Sequence, residues 1–132
     1  MDNDAEIWLE FVKTDLGVAK HLNSQYYPKP FEIVCYHCQQ AAEKAIKSIM
    51  IACNAQSDIP RKHNLSFLLD QIESKIDIPE KYYDYCDMLT PYGIAVRYPN
   101  GILFLEESHV QDAIYYAEEI VEWAEKIILE KI

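Results

Sequence analysis

Apolar residues recur at intervals of three and four along most of this chain, the spacing that places them on one face of a helix. From Asp4 to about Asn23, the residues Ile7, Leu9, Phe11, Val12, Leu16, Val18, Ala19 and Leu22 cover well over half of a helix circumference, so this helix is expected to be largely buried. Acidic residues open it, where the helix dipole favours them. Pro28 and Pro30 then push the residues before them out of helical geometry, and Ser24 to Pro30 reads as a link. The next stripe runs Val34, Cys35, Cys38, Ala41, Ala42, Ala45, Ile46, Ile49, Met50 and Cys53, with Gln40, Glu43, Lys44 and Lys47 on the other side. Its alanines let a neighbouring helix come close and bring more atoms into dispersion contact, which makes Phe31 to Cys53 the expected central helix.

Asn54 to Asn64 reads as a loop, and Asn64 is placed to cap a short helix carrying Leu65, Leu68, Leu69 and Ile72 that stops near Lys75. Pro79 suits the first position of a further helix through Tyr82, Tyr83, Tyr85, Cys86 and Leu89. Thr90-Pro91 removes one intrahelical hydrogen bond, so a kink or an end is expected there, with Tyr92 to Val96 continuing or restarting. Arg97 to Gly101 is turn-rich, and Ser108 with Gln111 makes a capping-box pattern ahead of a last stripe from Val110 to Ile128. A helix over 108–131 would span roughly 36 Å. Only Ile102 to Leu105 hints at a period of two. The expected fold is all-α, an antiparallel up-and-down bundle of four to five helices in one domain over residues 1–132.

Composition narrows the function. Three glycines in 132 residues leave little room for phosphate-cradling loops, and neither G-x-G-x-x-G, a Walker loop nor G-x-S-x-G occurs. A formal charge of −10 disfavours attraction to a phosphate backbone, so DNA is not an expected partner. Only residues 29–63 are net positive, through Lys29, Lys44, Lys47, Arg61 and Lys62. No run of 18 apolar residues suggests a membrane span, and the start Met1-Asp2-Asn3-Asp4 is acidic where a signal peptide is basic, so a cytoplasmic protein is expected. In that compartment Cys35, Cys38, Cys53 and Cys86 are expected as thiols.

Cys35-Tyr36-His37-Cys38 has the spacing of a redox pair or half a zinc site, but no second ligand pair accompanies it and both thiols fall on the apolar stripe. They are read as structural, and neither a metal nor a cofactor is called for. His37 reads as a boundary residue with a satisfied hydrogen bond. His63, after Arg61 and Lys62, either caps the next helix or meets a phosphate. Ten tyrosines, with Tyr26-Tyr27, Tyr82-Tyr83 and Tyr115-Tyr116 as pairs, place one ring of each helical pair at the bundle edge, which suits a protein interface. Arg97, near Tyr92 and Tyr98, bridges to a carboxylate or carbonyl, or holds an anion. Glu118, Glu119, Glu122 and Glu125 form a solvated acidic face that is also a candidate surface for a basic partner.

The stretch from His37 to Lys47, His-Cys-Gln-Gln-Ala-Ala-Glu-Lys-Ala-Ile-Lys, resembles the H-x-Q-Q-A-x-E-K-A-x-K stretch of HEPN domains. Pro60 to Leu65 is similar to that family's P-R-x-H-x-L segment, and Leu89-Thr90 to Arg97-Tyr98-Pro99 to its L-T-x-Y…R-Y-P segment. Ala113 to Ile128, with Trp123, resembles its closing helix, and the resemblance spans roughly residues 5–130. It implies a helical bundle, a homodimer, and pairing with a small nucleotidyltransferase in toxin–antitoxin fashion. Many members resemble metal-independent ribonucleases whose site is an Arg followed, after four to six residues, by a His.

Here the residues at those distances from Arg97 are Ile102, Leu103 and Phe104, so the imidazole is missing. The first reading is therefore a non-catalytic binding and interaction module holding a nucleotide or phosphate through Arg97, Tyr98, Lys47, Arg61 and His63. The second is a ribonuclease using Arg97 with a displaced histidine, His109 or His37, acting on RNA.

Overall fold

A computed structural model of the protein describes residues 3–54, 64–95 and 105–131. Every regular element among them is helical: α1 (Asn3–Gln25), α2 (Phe31–Ala52), α3 (Leu65–Asp70), α4 (Glu80–Leu89), α5 (Tyr92–Ala95) and α6 (Glu107–Lys131). The all-α expectation holds. The element boundaries follow local chemistry. Asn64 adopts an extended backbone and its side-chain oxygen accepts the Phe67 N–H at 3.1 Å, the cap expected for α3. Pro79 stands just before α4 rather than in its first turn. α4 ends at Leu89, where the Thr90 hydroxyl donates to the Cys86 carbonyl, and the chain restarts as α5 after Pro91.

α2 is the central helix. Val34, Cys35, Cys38, Ala41, Ala42, Ala45, Ile46 and Ile49 are fully buried, and α1, α6, α3, α4 and α5 all pack against it. Alanine dominates the middle of this helix because a methyl is the largest group that lets two long neighbours, α1 and α6, come close at once. Leu65, Leu68, Leu69, Ile72, Leu89, Ile120 and Ile128 fill the remaining core.

Three expectations need correction. α1 is only half buried: Ala5, Leu9, Val12 and Ala19 face the core, whereas Ile7, Phe11 and Val18 are exposed. One flank of α1 meets α2 and α6, and its second apolar stripe is left exposed. Ser108 lies inside α6, and the role expected of a capping box passes to its neighbour: His109 Nδ1 accepts the Glu106 N–H at 2.9 Å. The acidic face of α6 is largely used within the molecule. Lys13 pairs with Glu125 at 2.9 Å, Lys20 with Glu118, and Lys81 with Glu119 at 3.5 Å, which ties α6 to α1 and α4.

The tyrosines also bind α4 to α6. Tyr82 stacks on Trp123 with centroids 4.3 Å apart, and Tyr85 stacks on Tyr116 at 4.8 Å while meeting Tyr115 edge-on. One ring of each helical pair is deeper than the other, as adjacent helix positions require: Tyr82 is buried and Tyr83 half-buried, Tyr116 half-buried and Tyr115 exposed.

Replacing Asn64 by Ala removes the side chain that caps the Phe67 N–H at the start of α3, and the expected loss is about 1 kcal/mol of unfolding free energy, read by urea titration. Burial pushes the Tyr92 phenol up to about 12. Its neutral form is therefore favoured in the folded state, and the contribution, complete below pH 10, is lost as pH rises from 10 to 12. A helical signal followed by circular dichroism should decline over that window, and Tyr92→Phe should flatten the decline.

Candidate functional site

Gln39, Glu43 and Lys47 are spaced by four and so share one stripe of α2. The Lys47 ammonium donates to Glu43 Oε2 at 2.7 Å, the Gln39 carboxamide donates to Glu43 Oε1 at 3.2 Å, and the Gln40 carboxamide donates to Gln39 Oε1 at 2.8 Å. Gln39 is fully buried and Glu43 nearly so. A carboxylate taken this far from water is retained only if it is paired and hydrogen-bonded, and the ladder supplies both. Glu43 was expected on the polar side of α2; it is instead covered, and α5 packs against α2 with Gly93 on the neighbouring Gln39.

Gly93 makes that approach possible. A Cβ there would stand 2.8 Å from Gln39 Cδ and 2.9 Å from its Nε2, so α5 rests on the ladder only with a hydrogen at this position. α5 leads directly toward Arg97. The ladder thus supports α5, which ends at Ala95, two positions before Arg97 in the sequence.

A second polar cluster lies on the other edge of α2. Asp15 of α1 accepts from Lys44 Nζ at 2.6 Å and lies 3.2 Å from His37 Nδ1, with its own side chain mostly buried. This is the satisfied boundary histidine expected from sequence. His109 is engaged as well, since accepting the Glu106 N–H at Nδ1 leaves its proton on Nε2.

Lys47 is therefore placed with its ammonium on Glu43, and His109 at the start of α6. Arg97, Tyr98, Arg61 and His63 lie outside the described residues. Sequence reasoning did not single out Gln39, Glu43, Gly93 or Asp15 as site residues. The i, i+4, i+8 spacing of Gln39, Glu43 and Lys47 was the available signal; nothing local marks Gly93 or Asp15, whose partners come from other helices. The four cysteines are free and buried. Burial pushes the Cys35 thiol up to about 12 and raises Cys38 and Cys86 as well, so none has the depressed pKa of a redox or metal-binding thiol. Among the described residues no cluster of His, Cys, Asp and Glu is arranged to hold a metal ion, and no helix is long and apolar enough to cross a membrane.

The family model for the HEPN domain matches residues 5–127. The chain belongs to the HEPN family. Solved structures agree: TT1696 from Thermus thermophilus superposes with a TM-score of 0.77 at 25% identity, covering 95% of this chain and 98% of that one. ST0689, an archaeal HEPN homologue, shares the fold at a TM-score of 0.69 and 24% identity, with 94% and 97% covered. A HEPN domain protein from Thermotoga maritima, tm0613, aligns at 0.55 and 27% identity, with 94% and 92% covered. No curated protein matches the chain. In this HEPN domain the single stretch His37 to Lys47 builds both clusters, His37 and Lys44 facing α1 while Gln39, Gln40, Glu43 and Lys47 line the ladder under α5.

Gly93→Ala is expected to push the Gln39 carboxamide off Glu43 and to destabilise the fold, whereas in a Gln39→Ala background the same change should cost much less. The coupling, measured by a double-mutant cycle of urea unfolding, should be about 1–2 kcal/mol. Additive losses would show that the two residues do not meet. Thiol labelling at pH 8 should find the four cysteines unreactive in the native protein and all reactive in guanidinium.

Proposed function

We infer that this HEPN domain is a non-catalytic binding and interaction module: a homodimer that pairs with a small nucleotidyltransferase in a toxin–antitoxin-type system in the cytoplasm. In this reading a nucleotide or phosphate is held near Arg97 and Tyr98, with Arg61, His63 and Lys47 supplying further polar contacts. One observation carries it. Positions 102, 103 and 104, the distances from Arg97 at which the family's ribonucleases carry a histidine, hold Ile, Leu and Phe, so no imidazole stands at the expected spacing from that guanidinium. A general acid or base must present a ring nitrogen to the reacting oxygen, and a guanidinium alone stabilises charge without moving a proton.

The ladder fits the same role. It supports α5 through the contact of Gly93 with the Gln39 carboxamide and holds Lys47 on an internal carboxylate, an arrangement that positions backbone rather than transfers protons. Incubated with RNA in the absence of metal, the purified protein should leave the RNA intact, while calorimetric titration with ATP should show binding that Arg97→Ala weakens about tenfold or more. RNA cleavage that disappears in Arg97→Ala would establish the ribonuclease reading instead.

A further inference from the structure

We propose that the outer edge of the α4–α6 seam, at Tyr85, Met88, Tyr115 and Asp112, is a docking surface for a basic segment of a partner protein, with an arginine side chain laid on the tyrosine rings. The inference rests on contacts between the two helices and does not require a nucleotide at Arg97. α4 and α6 run antiparallel: Lys81 meets Glu119, and one turn further along α4 Tyr85 meets Tyr115, one turn back along α6. Positions 81, 85 and 88 share one stripe of α4, and positions 119, 115 and 112 share one stripe of α6. The same register carries Met88 to the level of Asp112.

The seam uses one pattern twice and completes it once. At the first level the Lys81 ammonium lies 5.2 Å over the Tyr82 ring and 3.5 Å from Glu119 Oε1, so a cation is held between an aromatic face and a carboxylate. Two turns on, a tyrosine and a carboxylate recur as Tyr85 and Asp112, but the position equivalent to Lys81 is Met88. Asp112 is exposed, and among the described residues no ion pair uses it. The second level has the face and the counter-charge, and its cation must come from another molecule.

Charge and shape select the occupant. Tyr115 and Met88 are 51% and 52% exposed, and the half-buried Tyr85 is held from behind by Tyr116, stacked 4.8 Å away. A ring fixed by stacking loses little freedom when a partner arrives, and the unbranched Met88 thioether adapts to whatever lies beside it. A guanidinium is flat and weakly hydrated, so it lies on an aromatic face while its N–H groups reach a carboxylate. Asp84, exposed one turn before Met88, adds to the same field. With a net charge of −10, this surface attracts a basic segment and repels both nucleic acid and a second copy of the chain.

Titration of the intact protein with an oligo-arginine peptide, followed through the methionine methyl resonances and by calorimetry, tests this. The Met88 methyl signal should shift saturably while that of the buried Met50 stays in place. Tyr115→Ala and Asp112→Asn should each weaken peptide binding about threefold, and Tyr115→Phe, which keeps the ring, should bind as the wild type does. Met88→Lys supplies the missing cation from within and should weaken binding about tenfold or more. Asp77→Asn, which removes the same charge from the link before α4, should leave the affinity unchanged. Equal losses from Asp77→Asn and Asp112→Asn would show attraction to the overall charge alone and overturn the proposal, as would a Met88 signal that the peptide does not move. A Met88 signal that shifts when the protein is concentrated without peptide would assign the seam to a second copy and overturn the choice of partner.

Discussion

The structure depends on α2 being covered on most of its circumference. A helix that other elements surround must be small where two long helices converge on it, and Ala41, Ala42 and Ala45 meet that demand between α1 and α6. The same enclosure leaves little of α2 in water, so its polar residues are largely drawn into the protein with it. Each must then find a partner inside. Glu43 finds Lys47 and Gln39, and Lys44 and His37 find Asp15. The family stretch from His37 to Lys47 is thus a consequence of burial: it holds the polar groups that can be taken inward because they satisfy one another or a neighbouring helix.

That arrangement also places α5. α5 is four residues long, too short to hold its place by its own hydrogen bonds, and its position is set by contact of Gly93 with the buried Gln39 carboxamide.

The chain is acidic overall but distributes its charge unevenly. Much of the acidity of α6 is answered by lysines of α1 and α4, which brings the long helices together through pairs that are each individually weak. The aromatic stack of Tyr82, Trp123, Tyr85 and Tyr116 adds apolar contact at the same seam. Together they give Tyr82, Tyr85 and Tyr116 a structural role between α4 and α6, while the exposed line of α1 is apolar surface that this internal pairing leaves over.

Helix boundaries, the cap at Asn64, the break at Pro91 and the central place of α2 were all legible in the order of residues, because each rests on contacts within a few positions: a side-chain oxygen near a free N–H, a missing amide hydrogen, an apolar period. The structural role of the cysteines was legible for the same reason. What no local rule could reach was which face of an all-round apolar helix turns inward, so α1 looked buried and is half exposed; that Glu43, on the polar side of α2, is buried, and that Gly93 arrives from more than fifty residues away to rest on Gln39; and that His109 rather than Ser108 serves the start of α6. Periodicity reports that a face is apolar, but only the packing of distant segments decides whether anything covers it, since burial is a property of two surfaces and a sequence window contains one.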